Sequence, residues 1–347
     1  MPPDNDPESK SSDIRFRIAL VGARGYVGQE LLDLIALHPH FELVIASSRA
    51  LAGKHVRDIS PAYKGPLMFA ELAPQQIPWP DLDVVILALP NGHSDAYMAE
   101  IEKCAPSLLV IDLSADHRFD SDWDYGLPER NRSQLRGSKR IANPGCYATG
   151  IQLGLQPLLG MLRMPPSVFG VSGYSGAGTT PSPKNDPEKL RDNLIPYGFA
   201  GHVHEKEVGH HLAQPIHFMP HVAPWFRGIH LTIDCHLDEA QVPQEWRDGG
   251  TDAAIDVNAY FSRFYDDEVL IETSADVPAL QRIQGQHHVE IGGFSFSRQN
   301  QRISLCVTLD NLRKGAATQA LQNLNIALGL AEYTGLMVRA PHDPARG

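Results

Sequence analysis

A strand, a glycine-rich turn and a helix follow one another near the start of the chain, and this succession constrains the fold more than any other feature. The apolar run Phe16–Ala23 predicts a buried strand, and helical spacing of apolar residues continues to His38. Between them lies Gly22-Ala23-Arg24-Gly25-Tyr26-Val27-Gly28. Glycines at this spacing let the backbone approach a pyrophosphate, whose charge then lies at the helix N-terminus. The segment predicts a Rossmann-type dinucleotide-binding domain rather than an ordinary tight turn.

The second predicted strand, Glu42–Ala46, indicates which dinucleotide is bound. It ends in Ser47-Ser48-Arg49, where an acidic residue would bind a ribose 2′-hydroxyl and repel a 2′-phosphate. Serine and arginine instead offer hydrogen-bond donors and positive charge to a phosphate. The sequence therefore predicts NADP(H) as the cofactor, and the alternative is an arginine that simply leaves the strand end into solvent.

Alternation of strands and helices continues and extends the same domain. Apolar runs at Asp83–Leu89 and Ser107–Ser114 predict strands, and His93–Cys104 predicts a helix between them. This order is typical of a parallel sheet with helices on both faces.

The loops after these two strands are expected at the carboxyl edge of the sheet, where ligands bind. They contain Pro90, which we expect beside the cofactor, and Arg118, which could hold an anionic group of the substrate. The alternative for Arg118 is a surface salt bridge with Asp116 or Asp120.

One cysteine lies at a break in the backbone pattern. In Asn143-Pro144-Gly145-Cys146-Tyr147-Ala148-Thr149, the proline and glycine end the preceding element. Helical spacing over Tyr147–Leu159 then predicts a helix that starts at Cys146. A thiol near a helix N-terminus is expected to ionise more readily, and the thiolate is the nucleophile. The alternative is a buried structural cysteine.

The second half of the chain has a different strand pattern. Apolar and polar residues alternate over Ile229–Asp238, which is typical of antiparallel sheets with one buried face, and Cys235 falls on the apolar side. Further strands are predicted at Val269–Thr273, Val289–Phe296 and Ile303–Leu309, with a helix over Asp252–Tyr265. A long helix, Gly315–Gly335, is predicted to return to the nucleotide domain. We expect a disordered tail at 1–13, an NADP-binding domain at 14–145 and 315–347, and an α+β substrate and oligomerisation domain with a mixed sheet at 146–314.

A cluster of titratable residues occupies Leu194–Leu212: Tyr197, His202, His204, Glu207, His210 and His211. Histidine transfers protons near neutral pH, and a cysteine nucleophile needs such a partner. His-x-His, and Glu207 with His211 four residues on, are also plausible spacings for a metal site. A third possibility is a solvated run without chemistry.

Charge and cysteine usage exclude several classes of protein. The net charge of -11 argues against nucleic acid or an acidic membrane as the main partner. The four cysteines are too sparse for a disulfide framework, and no apolar run reaches the ~18 residues of a membrane helix. Residues 1–13 do not resemble a signal peptide. We therefore expect a cytoplasmic protein that acts on a small molecule.

With these features together, the chain resembles the N-acetyl-gamma-glutamyl-phosphate reductases of arginine biosynthesis from about Ile14 to Leu336. The matching segments are Gly22–Gly28, Ile111–Arg118, Tyr125–Glu129, Asn143–Thr149, Ser172–Gly178, His202–Glu207, Pro220–Gly228 and Asp310–Ala317. The resemblance implies NADPH-dependent reduction of an acyl phosphate by a homodimer or homotetramer, with no metal. It implies Cys146 as nucleophile, with His202 or His204 as acid/base and Glu207 beside them.

The candidate binding residues follow from the motifs, from charge and from loop position. For the cofactor these are the glycine turn (Gly22, Arg24, Gly25, Tyr26, Val27, Gly28), Ser47, Ser48, Arg49, Pro90, Ser175 and Gly176. For the substrate they are Arg118, Ser172, Tyr197 and Arg227.

The chain departs from the family pattern at Arg24, Val203 and Lys206, where the family more often has a small polar residue, a basic residue and proline. The related reductase of a carrier-linked aminoadipyl phosphate shares most of these motifs and is the nearest rival. Aspartate-semialdehyde and glyceraldehyde-3-phosphate dehydrogenases share the chemistry, but not the residues around the cysteine. A non-catalytic NADP-binding sensor and a zinc enzyme are the alternatives from other classes.

Overall fold

The computed structural model describes residues 14–248 and 253–336. The predicted tail at 1–13, residue Asp252 of a predicted helix, and the end of the nucleotide domain at 337–347 lie outside the described residues.

A six-stranded sheet forms the first half of the molecule. Its elements are β1 (Phe16–Val21), α1 (Tyr26–Leu37), β2 (Phe41–Ser47), β3 (Val84–Leu87), α2 (Asp95–Cys104), β4 (Leu109–Asp112), β5 (Asp124–Tyr125), α3 (Pro128–Leu135) and β6 (Arg140–Ala142). The strand order is β2-β1-β3-β4-β6-β5, and every pair is parallel. The predicted Rossmann-type sheet is confirmed.

Both faces of this sheet are covered, because successive side chains of a strand point to opposite faces. Ile18 and Leu20 pack with Leu31 and Leu32 of α1 on one face. Ala19 and Val21 pack on the other face with Ile101 of α2. The carboxyl ends of the strands, and the loops that follow them, remain free to form a site.

A seven-stranded sheet forms the second half. Its elements are α4 (Cys146–Leu155), β7 (Ser167–Gly173), α5 (Pro187–Leu190), β8 (Ile195–Pro196), α6 (Val203–Leu212), β9 (His217–Ala223), β10 (Ile229–His236), α7 (Gln244–Asp248), α8 (Ala253–Phe264), β11 (Ile271–Ser274), α9 (Leu280–Ile283), β12 (Val289–Ser297) and β13 (Arg302–Leu309). The last helix, α10 (Thr318–Ala327), packs in the core of the first half. The order β11-β12-β13-β10-β7-β9-β8 mixes parallel and antiparallel pairs. The predicted mixed sheet is confirmed, and Cys235 lies in its core.

Two predicted helices are too long. The helix after the cysteine ends at Leu155 rather than Leu159, because Pro157 has no N–H for an α-helical bond, and a 3₁₀ segment follows. The predicted helix Gly315–Gly335 is a π-helical turn at Arg313–Ala317 followed by α10, which ends at Ala327. Its return is confirmed, because Ala317 and Ala320 pack in the core that β1 and α1 share.

Within residues 14–248 and 253–336, no helix is both long and apolar enough to cross a membrane.

Candidate active site

A cavity of about 850 Å³ opens between the carboxyl edge of the first sheet and the second half of the molecule. Residues from both halves line it, including the glycine turn, Cys146 and His204. The cofactor residues predicted from the sequence all line it: Gly22, Arg24, Gly25, Tyr26, Val27, Gly28, Ser47, Ser48, Arg49, Pro90, Ser175 and Gly176. The fold therefore brings the predicted dinucleotide site and the predicted nucleophile to one cavity.

The glycine turn has the shape that an anionic group requires. Gly22 has φ +87°, and a Cβ there would lie 2.2 Å from the Ala88 carbonyl oxygen. A Cβ on Gly28 would lie 2.8 Å from the Ala23 backbone, so this glycine lets α1 pack closely on β1. Gly25 is the N-cap of α1 and brings no side chain to the helix N–H groups. These free donors fit a pyrophosphate.

The cavity lining at the end of β2 includes one positive and one negative side chain, Arg49 and Glu71. Ser47 and Ser48 are buried at the end of β2, and Arg49 is exposed just beyond them. The Ser48 amide donates to the Ala70 carbonyl at 2.9 Å, which places Glu71 beside this strand end. Glu71 also lines the cavity and was missed by the sequence analysis, because its position depends on a chain crossing 23 residues after Ser48.

Cys146 is the first residue of α4, as predicted, and its sulfur environment differs from the expectation. The rest of the helix is buried, whereas Cys146 is partly exposed to the cavity. Burial raises the pKa of the Cys146 thiol to about 11, although the amides of Tyr147 and Cys146 and the charge of Arg118 act in the opposite direction. The expected readily ionised thiol is therefore wrong for the protein without ligands, because desolvation exceeds the effect of the helix N-terminus.

Arg118 is buried beside this cysteine rather than paired on the surface. Its Nη1 donates to Glu207 Oε2 at 3.0 Å, its Nε to the Asn143 carbonyl at 2.9 Å, and its Nη2 to the Leu113 carbonyl at 2.9 Å. The alternative salt bridge with Asp116 or Asp120 is wrong. Asp116 instead accepts hydrogen bonds from the Gly92 amide and the Ser94 hydroxyl.

Glu207 connects α6 to the turn that carries the nucleophile. Its Oε1 accepts from the Gly145 amide at 2.8 Å and from the Tyr125 hydroxyl at 2.8 Å, while Oε2 accepts from Arg118. Glu207 is fully buried and does not line the cavity. Its contacts make it a residue that positions Gly145 and Arg118.

His204 and His202 have different surroundings. His204 lines the cavity, and a Cβ on Gly145 would lie 2.2 Å from its Nε2, so this imidazole lies against the residue that precedes Cys146. Burial and the charge of Arg118 hold the pKa of His204 well below its usual value, which keeps the imidazole neutral. The Nδ1 atom of His202 accepts a bond from the His204 amide and caps α6.

The other predicted substrate residues are Tyr197, Ser172 and Arg227. The Tyr197 ring packs on His202, and burial together with the nearby Cys146 raises the pKa of its phenol. Tyr197, Ser172 and Arg227 do not line the cavity, contrary to expectation. The Ser172 hydroxyl donates to the Gly173 carbonyl, and Arg227 forms ion pairs with Glu30 at 2.8 Å and Asp310 at 2.6 Å.

The histidine cluster does not have the arrangement of a metal site. Both Glu207 oxygens accept the hydrogen bonds described above, and His211 stacks on Tyr125 with its Nε2 2.7 Å from the Arg118 carbonyl. In the part of the chain that the structure describes, one group has ligand atoms close enough for a metal ion: Glu272, His288 and Glu290, in the second sheet. Arg282 and His288 already pair with Glu290 there.

Two further residues, Asn143 and Gly315, complete the site and were not singled out from the sequence. Asn143 donates from Nδ2 to the Ala316 carbonyl at 3.3 Å, and Gly315 lies directly behind the nucleophile. A Cβ on Gly315 would lie 2.7 Å from the Cys146 Cβ. Both residues lie in segments that match the family, Asn143–Thr149 and Asp310–Ala317. That match is the feature of the sequence from which their place in the site could have been inferred.

A parallel nucleotide-binding sheet, a mixed-sheet domain and a cysteine at their junction define a two-domain dehydrogenase of the semialdehyde dehydrogenase class. Residues 17–138 match the family model "Semialdehyde dehydrogenase, NAD binding domain", and residues 146–311 match "Semialdehyde dehydrogenase, dimerisation domain". Among solved structures, aspartate semialdehyde dehydrogenase II of Vibrio cholerae superimposes with a TM-score of 0.71 at 19% identity, over 91% of this chain and 98% of that chain. Aspartate semialdehyde dehydrogenase with NADP from Candida albicans gives 0.65 at 17%, over 90% and 98%. At these identities the likeness shows the fold.

Curated sequences narrow the class further. N-acetyl-gamma-glutamyl-phosphate reductase of Xanthomonas oryzae pv. oryzae is 50% identical over 92% of this chain and 98% of its own length. The protein of the same name from Stenotrophomonas maltophilia is 46% identical over 94% and 99%. The chain belongs to the N-acetyl-gamma-glutamyl-phosphate reductase family.

Proposed function

We propose that the chain reduces N-acetyl-L-glutamyl 5-phosphate to N-acetyl-L-glutamate 5-semialdehyde with NADPH, releasing phosphate, as a step of arginine biosynthesis. The observation that carries the proposal is that Cys146, His204 and the glycine turn line one cavity. Relatives of this name at about half identity over nearly the whole chain support the substrate.

Cys146 acts as the nucleophile and His204 as its base. Because the thiol is protonated and the imidazole neutral at pH 7, His204 takes the thiol proton as the sulfur attacks the acyl carbon. The carbon–oxygen bond to phosphate breaks, the proton passes to the departing phosphate, and a thioester forms. His202, which caps α6, orients the His204 backbone.

The chain's residues also stabilise charge and hold the cofactor. The amides of Cys146 and Tyr147, which favour negative charge on the sulfur, suit the oxyanion that develops on the carbonyl oxygen of the attached acyl group. Arg118, whose charge acts on the Cys146 thiol, and Tyr197, whose phenol is affected by that thiol, are the proposed contacts for the anionic substrate. The glycine turn, Ser47, Ser48 and Arg49 would hold NADPH, which when bound supplies the hydride that reduces the thioester. The carbon–sulfur bond then breaks, the semialdehyde leaves, and the thiolate regains a proton from solvent through His204.

The proposed unit is a cytoplasmic homodimer or homotetramer, divided at residues 145 and 315 into nucleotide and substrate domains. Support comes from the dimerisation-domain match over 146–311 and from the four free cysteines.

A steady-state assay in the reverse direction tests this function, with semialdehyde, phosphate and NADP⁺ each omitted in turn. We expect NADPH formation to require all three components. Cys146→Ser should lower turnover by about 10³-fold or more while NADPH affinity stays within about twofold, because only the nucleophile is lost. The matched control, Cys104→Ser, removes an exposed thiol on α2 and should retain activity. Turnover without phosphate, or full activity of Cys146→Ser, would refute the proposal.

A further inference from the structure

Arg24 connects two loops that line the cavity. Its Nη2 donates to Thr179 Oγ1 at 3.0 Å, a contact between residues 155 positions apart. Arg24 belongs to the glycine turn of the nucleotide sheet, and Thr179 belongs to the loop 175–180 that follows β7. Both residues line the cavity, and the hydrogen bond joins its lining from the first half to its lining from the second.

The loop 175–180 is fixed at its base. The Ser175 hydroxyl accepts from Asn311 Nδ2 at 2.9 Å, and Asn311 Oδ1 accepts from the Gly228 amide at 2.7 Å. Further along, Asn185 Nδ2 donates to the carbonyls of Gly178 and Thr180. These contacts all lie within the second half of the molecule, whereas the bond from Arg24 ties the loop tip to the nucleotide half.

The glycine turn is also fixed to the second half, but at a different place. Tyr26 packs edge-on against Phe226 with ring centroids 5.1 Å apart, and Glu30 pairs with Arg227 at 2.8 Å. The N-terminus of α1 therefore has a firm position relative to the second sheet. Arg24 extends from this anchored turn to Thr179, which lies on a partly exposed loop.

The guanidinium can serve two partners at once. It is always charged and has five N–H donors, of which the bond to Thr179 uses one. The remaining donors lie beside the turn whose free amides fit a pyrophosphate.

We propose that Arg24 is a positioning residue that couples cofactor binding to closure of the loop 175–180 over the cavity that holds Cys146. A bound dinucleotide phosphate and Thr179 share the same guanidinium, so the anion holds Arg24 in the orientation that retains the loop. This inference rests on the proposed function, because it requires an anionic dinucleotide on the turn.

Limited trypsin digestion with and without saturating NADPH tests the coupling. Lys184 and the exposed Lys189 follow the loop directly, and intact mass identifies cleavage at each. In the unmodified protein we expect NADPH to slow this cleavage about tenfold. In Thr179→Val, which loses the hydroxyl but keeps the shape, the protection should fall to about twofold, the range that one exposed hydrogen bond allows. Arg24→Ser should lose the protection and also bind NADPH about tenfold more weakly.

Thr180→Val is the matched control, because it removes the same hydroxyl from the adjacent residue that Arg24 does not contact. It should keep the full protection. Equal protection of Thr179→Val and the unmodified protein overturns the coupling while the proposed function stands. If fluorescence titration shows that the unmodified protein does not bind NADPH, the proposed function fails and the coupling fails with it.

Discussion

The groups around Cys146 shift the pKa of its thiol in opposite directions. Two amides at the start of α4 and the Arg118 charge favour the thiolate, whereas removal from water and the Glu207 carboxylate favour the thiol. The neutral thiol therefore predominates, so the proton must leave the sulfur during the reaction itself. His204, itself neutral, is the group in the cavity that can receive the proton.

The pH dependence of alkylation measures this balance. In the protein without ligands, Cys146 should react with iodoacetamide about tenfold faster for each pH unit between 7 and 10, because the thiolate fraction keeps rising below a pKa of about 11. The measurement uses a Cys104→Ser background to remove the exposed thiol of α2. A rate that reaches a plateau near neutral pH would contradict the raised pKa.

A side chain at Gly145 should disrupt the site without unfolding the protein. A Cβ there would lie 2.2 Å from His204 Nε2 and 2.7 Å from Arg118 Nη1, so Gly145→Ala must displace both groups. We expect kcat/KM to fall about a hundredfold, the scale of a displacement near 1 Å.

Gly209→Ala is the control for Gly145→Ala. It lies on α6, the helix of His204, and a Cβ there would lie 4.0 Å from its nearest neighbour beyond the helix backbone, the Gln214 carbonyl oxygen. Its activity should be unchanged and its stability slightly higher, by up to about 1 kcal/mol. Equal kinetics for the two variants would show that the close contacts at Gly145 are unimportant.

At the scale of elements, a buried ionic cluster holds the π-helical turn behind the nucleophile. Lys314 Nζ donates to Glu129 Oε1 of α3 and to Gln322 Oε1 of α10, both at 2.6 Å. Both charged side chains are fully buried. The next residue, Gly315, contacts Cys146, so this ion pair fixes the back wall of the site.

Replacing one member of the Lys314–Glu129 ion pair should lower the free energy of unfolding more than replacing both members. Lys314→Met leaves the Glu129 charge buried without its cation, and we expect a loss of about 3–5 kcal/mol in the free energy of unfolding. The double variant Lys314→Met/Glu129→Leu should recover most of that loss, because no charge remains buried. Urea denaturation followed by circular dichroism measures both, and additive losses would contradict the pairing.

Much of the element order was predictable, because it depends on local patterns. The strand–turn–helix at Phe16–His38 and the alternation over Ile229–His236 express periodicities that a short window contains. The ends of the helices after Cys146 and after Gly315 were not predictable. They depend on Pro157 and on a π-helical turn packed against the nucleophile. Residue types identified Arg118, but its partner Glu207 lies 89 positions away and required the fold.

At the scale of the whole molecule, buried histidines link stability to pH. Burial lowers the pKa values of His38 and His287 to about 4. His38 Nε2 lies 3.0 Å from Asn325 Oδ1 and its Nδ1 accepts from the His40 amide, so both ring nitrogens are engaged in the neutral form. His38 thus joins the end of α1 to α10, and His287 Nδ1 lies 2.7 Å from the Thr318 hydroxyl at the start of α10.

Stability should therefore fall as the pH decreases from about 6.5 towards 4. In this window the unfolded chain binds protons at these histidines while the folded protein does not, so each contributes a loss of up to about 3 kcal/mol by pH 4. Urea unfolding at several pH values measures the slope, which His38→Gln should reduce. The exposed His217→Gln is the control and should leave the slope unchanged; an identical slope for both variants would contradict the assignment.

The helix that begins with Cys146 is packed in the core of the second sheet, whereas the glycine turn belongs to the core of the first. Nucleophile and cofactor turn are thus carried by separately packed bodies, and the chemistry takes place at their seam. An inhibitor therefore need not approach the sulfur. A compound that binds between the two bodies near Arg24 would inhibit the enzyme by keeping the nucleophile and the cofactor turn apart.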